Sequence, residues 1–294
     1  MKRQTRILLV TFALFLLWGT GELFAQHKHE FSIYGGGGLS ALSYKTVGAE
    51  QKSGAGGNFD FGYHYFFTPK WGLGTGAEFA FYNASVNIDN FNLTYMAVDM
   101  EGVTFEFRST VNAYEEKQRA LLLQIPLMLQ FQTGGARQFY VAAGGKVGLP
   151  LNGKYSTTAS LRNAGYYAYE NSLYDTQEFM GFGNFPGKKT DGDLDFRTAF
   201  LVSVESGVKW RLNDKVSLYA GAYLDYGLNN IVEKRTVASL PALVEYNTAN
   251  PTAFAINSVI KSRYTQDGNA TQAFVDKMTP KAAGVKLRLA FGKH

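Results

Sequence analysis

Apolar and polar residues alternate with a period of two along eight stretches of this chain, as in strands with one apolar and one polar face. The first runs from Glu30 to Leu42. The second, Asn58 to Phe67, puts Phe59, Phe61, Tyr63, Tyr65 and Phe67 on one side. The third starts at Trp71 and continues through Leu73, Ala77, Phe79 and Phe81. The fourth ends near Gln132 and aligns Leu121, Leu123, Ile125, Leu127, Leu129 and Phe131. The remaining four are Gln138 to Leu151, Leu194 to Arg211, Val216 to Leu228, and Ala283 to Phe291. Each reaches the roughly 9 to 11 residues that a tilted strand needs to cross a bilayer, whereas strands of soluble sandwiches average about 5 or 6.

The connections sort into two kinds. Thr68-Pro69-Lys70, Thr133 to Arg137 and Leu212 to Lys215 are tight turns built from Gly, Pro, Asn and Asp. Between them fall four long connections: Ser43 to Gly57, Asn83 to about Lys117, Asn152 to Asp193, and Asn229 to about Ala282. Strict alternation of short and long connections belongs to outer-membrane barrels, with short periplasmic turns and long outer loops. The pattern predicts an all-β fold, an eight-stranded antiparallel up-and-down transmembrane β-barrel with long extracellular loops. A soluble periplasmic β-sandwich is the competing fold.

Aromatic residues of apolar parity collect beside the short turns and the last strand's end: Phe67, Trp71, Phe131, Phe139, Trp210 and Phe291. At one height around a barrel they form a periplasmic-side interfacial girdle. The opposite parity carries Asp60, His64, Glu78, Lys146, Arg197, Glu205, Lys209, Asp225, Lys286 and Arg288. Charges facing lipid at the midplane cost roughly 2 to 4 kcal/mol each, so these point inward, and both signs are present to pair. Eight strands enclose little more than their own side chains. The expectation is a plugged lumen crossed by ion pairs, with a narrow gated conduit for small solutes as the alternative.

Composition adds constraints. Lys2, Arg3 and Arg6 precede an apolar run from Ile7 to Trp18, and Leu23-Phe24-Ala25-Gln26 follows. This reads as a signal peptide over residues 1–25, cleaved after Ala25, with the barrel domain in 26–294. The apolar run falls short of the roughly 20 residues of a spanning helix. The net charge of +5 has mixed signs, and part of it leaves with the targeting segment, so nucleic acid is not an expected partner. The absence of cysteine excludes disulfide frameworks, thiolate nucleophiles and a lipoprotein anchor.

Candidate chemistry is sparse. His27 and His29 lie at the mature N-terminus, His294 ends the chain, and His64 belongs near the periplasmic rim pointing inward. Chemistry at the outer rim would need a histidine there, so no enzyme, catalytic residue, metal or cofactor is expected. Gly35-Gly36-Gly37-Gly38 lies within a strand with no helix after it, so it is no phosphate loop; there glycine lets the backbone approach a neighbour or bend the wall. In the second long connection Val103, Phe105 and Phe107 alternate with polar residues and Asp99-Met100-Glu101-Gly102 reads as a hairpin tip, so two strands project past the membrane. The third holds Tyr155, Tyr166, Tyr167, Tyr169, Tyr174, Phe179, Phe182 and Phe185. These rings either pack a lid over the barrel mouth, the preferred reading, or bind a partner or a sugar.

Two segments carry a family likeness. Leu121-Leu122-Leu123-Gln124-Ile125-Pro126-Leu127-Met128-Leu129 resembles the fourth strand of the PorT-like outer-membrane β-barrel family of Bacteroidota-type bacteria, and Phe139 to Leu151 resembles its fifth. The last strand, Gly284 to Phe291, resembles the terminal signal read by the barrel-assembly machinery, with Gly292-Lys293-His294 added after the aromatic. The resemblance implies a barrel in the outer membrane, with outer-membrane lipid and the assembly machinery as partners. The leading expectation is a non-enzymatic barrel displaying loops for structural or adhesive contacts. Its rival is an accessory subunit of a secretion or gliding machine.

Overall fold

The computed structural model describes residues 29–292 apart from 47, 136 and 266–270; the segment read as a signal peptide, His27 and His294 lie outside the described residues. Eight long strands make the wall: β1 His29–Tyr44, β2 Glu50–Phe66, β3 Trp71–Ile88, β4 Thr104–Gln132, β5 Arg137–Tyr167, β6 Ala199–Arg211, β7 Val216–Gly227 and β8 Met278–Phe291. Each pairs antiparallel with its neighbours in sequence. β8 returns to β1, from Phe31 opposite Phe291 to Tyr44 opposite Met278. The result is a closed, eight-stranded, up-and-down antiparallel barrel. Closure leaves the wall no unpaired edge, which hydrocarbon would not tolerate.

Side chains in the three short turns stand in for the missing ladder. Thr68 Oγ1 accepts from Trp71 N at 2.9 Å. Thr133 Oγ1 accepts from Phe139 N at 2.9 Å, and Gly135 takes a φ of 101°, which favours glycine. Asn213 Oδ1 accepts from both Lys215 N and Val216 N at 2.9 Å. The glycine run in β1 answers to crowding: a Cβ at Gly38 would lie 2.2 Å from the Ala283 carbonyl oxygen, and one at Gly36 would meet Asn58 Oδ1 at 2.3 Å.

The strands run further than alternation alone suggests. β4 has 29 residues and β5 has 31, about three times what a crossing needs. Their outward faces show where hydrocarbon ends. Along β4, exposed Leu129, Leu127 and Ile125 give way beyond Leu121 to Arg119, Lys117 and Glu115. Along β3, Phe81 is followed by Asn83 and Ser85. Along β5 a bulge at Leu151, opposite Leu121 and Leu122, resets the parity so that Asn152, Lys154 and Ser156 face out.

Above that level the pattern inverts. Outside, the surface is polar; inside, Leu42, Tyr82, Val86, Ile88, Val111 and Leu161 are buried in one apolar cluster. Water has replaced lipid as the outer solvent, and the hydrophobic effect therefore acts inward. This upper part is a dome. The strand Phe91–Val98 pairs with β4, and the chain turns over residues 99–102, where Asp99 Oδ1 accepts from Glu101 N and Val103 N at 2.9 Å.

Three sequence expectations need correction. The connection from Asn152 to Asp193 is not a loop: β5 continues to Tyr167, and Ser172–Tyr174 and Gly183–Asp193 pair back onto it. The sixth strand begins at Ala199, not Leu194; Leu194 and Phe196 pack against the dome core. The lid is not the third long connection's alone: Tyr167, Phe182 and Phe185 are buried in it with Tyr155 and Tyr174 packed against the same core, Tyr169 and Phe179 stay exposed, and the fourth connection adds Leu243, Val244, Tyr246, Ile256, Val259 and Phe274.

Candidate functional site

Inside the membrane-spanning part, period-two alternation delivers charged side chains from seven strands, all but β4, to a common axis, where they form layers. Nearest the short-turn end, Lys209 pairs with Glu30, and Tyr219 OH donates to Glu30 Oε2 at 2.6 Å. Next, Arg288 Nη2 donates to Gln130 Oε1 at 2.8 Å, and Nη1 lies 2.8 Å from His64 Nε2. The same guanidinium lies 3.6 Å from the centre of the Tyr219 ring, in cation–π range. Then Lys286 pairs with Glu205 and sits 4.0 Å over Tyr34. In the uppermost layer Lys146 Nζ stands 2.9 Å from both Glu78 Oε2 and Asp225 Oδ2. Tyr34 OH donates to Glu78 at 2.5 Å and Asn58 Nδ2 at 3.2 Å.

The side chains of Lys146 and Glu78 expose no surface at all. Buried charges persist only when partners and hydrogen bonds replace lost hydration, and here each layer supplies them. Asp60 lies buried in the same space, with no ion pair to any described residue. Arg197 does not belong to this set. It is exposed beyond the start of β6, and its backbone N–H donates to Ile231 O at 2.8 Å. Parity misassigned it because alternation continues in sequence past the point where the strand stops.

Glu30 and the tyrosines Tyr34 and Tyr219 are members that charge counting along the chain missed. Their signal was present: Glu30, Ser32 and Tyr34 alternate with Phe31 and Ile33 at the start of β1. Among the aromatics expected at the periplasmic rim, Phe67, Trp71, Phe139 and Phe291 are exposed on the outer face, and Phe131 and Trp210 are half-buried. Trp71 is opposite Phe131 in the register, with ring centres 5.0 Å apart. His64 is committed to Arg288, and His29 Nδ1 lies 2.7 Å from Tyr63 OH. No cluster of three or more metal-ligating side chains occurs among the described residues.

Over this stack sits the dome, and one carboxylate ties its lid down. Glu116, on the inner face of β4, accepts from Tyr114 OH, from Gln118 Nε2 at 2.7 Å, from Ser258 Oγ at 2.8 Å and from Val259 N at 3.0 Å. Burial pushes its carboxyl above the usual carboxylate range, although all four donors oppose the shift. A second tie runs through Tyr95, whose hydroxyl accepts from Tyr246 N at 2.7 Å and donates to Val244 O at 3.2 Å. Its burial pushes the phenol up to about 12. Met96, Val98, Met100, Tyr169, Leu173 and Phe179 remain exposed on the outer surface of the dome.

A family model described as an outer membrane protein beta-barrel domain matches residues 24–233. No curated protein matches the chain. Among solved structures the chain is similar to Neisserial surface protein A, at 10% identity and a TM-score of 0.32, over 88% of this chain and 94% of that one. It is similar to Ail, the attachment invasion locus protein of Yersinia pestis, at 11% identity and a TM-score of 0.31, over 90% and 100%. OprG from Pseudomonas aeruginosa is similar at 15% identity and a TM-score of 0.34, over 89% and 97%. The strand order and pairing of this chain, rather than these distant likenesses, define its barrel.

Proposed function

Because the chain belongs to the outer membrane protein beta-barrel domain family, we propose that it is a non-enzymatic outer-membrane barrel with a plugged lumen, whose dome makes structural or adhesive contacts outside the cell. The carrying observation is the inverted core above Leu121 and Leu151: a packed apolar interior that makes the projecting strands rigid. A rigid scaffold with exposed apolar side chains is how a surface meets a partner at low entropic cost. The exposed set on the dome, Met96, Met100, Tyr169 and Phe179 among it, is such a surface.

The test is display of the full chain on bacterial cells, with cell–cell aggregation and adhesion to matrix-coated surfaces as readouts. Replacing Met100, Tyr169 and Phe179 together by serine is expected to abolish adhesion while heat-modifiable gel migration still reports a folded barrel. Adhesion unchanged by the triple substitution would overturn the reading.

The accessory-subunit alternative draws on the PorT-like character of Leu121–Leu129 and Phe139–Leu151. Those residues lie in β4 and β5 where the outer face is lipid-facing, so the likeness concerns the wall and leaves the dome unassigned. Co-purification with a large assembly from mild detergent would favour that role. Solute conduction has less support, since three ion-paired layers, together with the Arg288 layer and the apolar dome, occupy the axis; step currents in planar bilayers would favour it. The last strand ends on Phe291 with outward Leu289 and Leu287, which suits recognition by the barrel-assembly machinery during biogenesis.

A further inference from the structure

We propose that the outer rim of the barrel carries a binding site for a phosphorylated lipid of the outer leaflet, formed by Arg119, Lys154 and Lys117. A groove of about 690 Å³ runs along β3, β4 and β5 at the level where the apolar belt stops. Phe81 and Leu121 line its lower part, and Asn83, Lys117, Arg119 and Lys154 its upper part. One residue pair along a strand spans about 6 to 7 Å, so Arg119 and Lys154 stand one step above the last lipid-facing side chains and Lys117 one step further. That step is where headgroup phosphates meet the hydrocarbon.

The register supplies a second, independent observation. Arg119 and Lys154 are directly opposed across the β4–β5 ladder, and both face outward. Like charges at directly opposed positions destabilise a sheet. Neither cation forms an ion pair with a described residue. Asp193 lies across from Lys154 on its other side but makes no ion pair with it, and Lys117 reaches Glu115 at 3.3 Å on the exposed surface. A bound phosphate between Arg119 and Lys154 converts the repulsion into two charge-assisted hydrogen bonds, and the guanidinium fork suits its oxygens. The acyl chains of the same molecule would then lie on Phe81 and Leu121, continuous with the belt. Phosphate and an apolar tail together identify a phosphorylated lipid, as basic clusters at a membrane surface do elsewhere. The inference is independent of what the dome contacts.

The experiment uses the folded full chain in a zwitterionic detergent, with lipid retention read by native mass spectrometry. The probes are diphosphorylated lipid A, its dephosphorylated counterpart, and inorganic phosphate. The expected result is selective retention of the phosphorylated lipid, weakened about tenfold or more by R119Q/K154Q, since each cation near an anionic surface contributes roughly fivefold. The control K70Q/R137Q, at the opposite rim, is expected to retain it as the unaltered chain does. Competition by inorganic phosphate alone would identify a free-anion site instead and overturn the lipid assignment. Equal retention by R119Q/K154Q, equal retention of the dephosphorylated lipid, or a changed oligomeric state in that variant without a change in retention would each overturn the proposal.

Discussion

Lys146 stands between two carboxylates with its side chain fully enclosed, and its removal would leave Glu78 and Asp225 facing one another with no cation between them. Uncompensated buried charge is the expensive case. Lys146→Met is expected to cost about 3–5 kcal/mol, read as a lower urea midpoint for the detergent-folded barrel. A midpoint unchanged from the parent would show that the layers are not under mutual electrostatic constraint. Glu116 sets a different residue-scale problem, because neutral donors hold it and its burial raises its pKa. The protonated form is therefore the one that the fold favours. Its contribution to stability is largest below the ordinary carboxylate pKa and declines as pH rises from there through the raised value, so neutral pH is the weaker side. Exchange protection at the Val259 amide, corrected for intrinsic rate, is expected to rise as pH falls through this window. Glu116→Gln should abolish that dependence, and a dependence that survives the substitution would assign it to another group.

At the scale of elements, β3, β4 and β5 each serve two solvents. Their lower parts alternate apolar-out against lipid, and their upper parts apolar-in against the lid, with the bulge at Leu151 making the exchange on β5. Among its described residues, the lid segment between β7 and β8 has little ladder of its own: the two-residue pairings Val244–Glu245 with Ala255–Ile256 and Arg263–Tyr264 with Gln272–Ala273, and a single bridge of Ala242 with Arg263. It is held by burial and by its ties to Glu116 and Tyr95. The barrel's hydrogen-bond ladder does not pass through it. Replacing residues 236–274 by a short Gly/Ser linker is accordingly expected to leave heat-modifiable barrel assembly intact while the hairpin around residues 91–103 becomes rapidly cleaved by protease. Loss of assembly would mean that the lid is needed to close the wall, and undiminished protease resistance would mean that the dome does not depend on it.

At the scale of the whole molecule, the barrel and its orientation of faces were legible in the chain because lipid imposes one rule at every crossing. Each backbone polar group must pair within the wall, and each outward side chain must be apolar. Phe61, Leu127, Val204 and Leu287 obey it and lie exposed on the outer face; Glu78, Lys146 and Lys286 obey its converse and are buried. Strand number, neighbour order and the short-turn end follow from that local rule and the turn residues. The rule has no force beyond the bilayer, where alternation with either parity is compatible with a strand. The length of β4 and β5, the exclusion of Arg197 and the pairing of Gly183–Asp193 with β5 were thus decided only when the chain closed up. So were the choice of partner for each buried charge and the part that residues 231–275 take in the lid. Periodicity records which solvent a residue faces, while pairing among distant residues depends on which side chains the closed ring brings within reach.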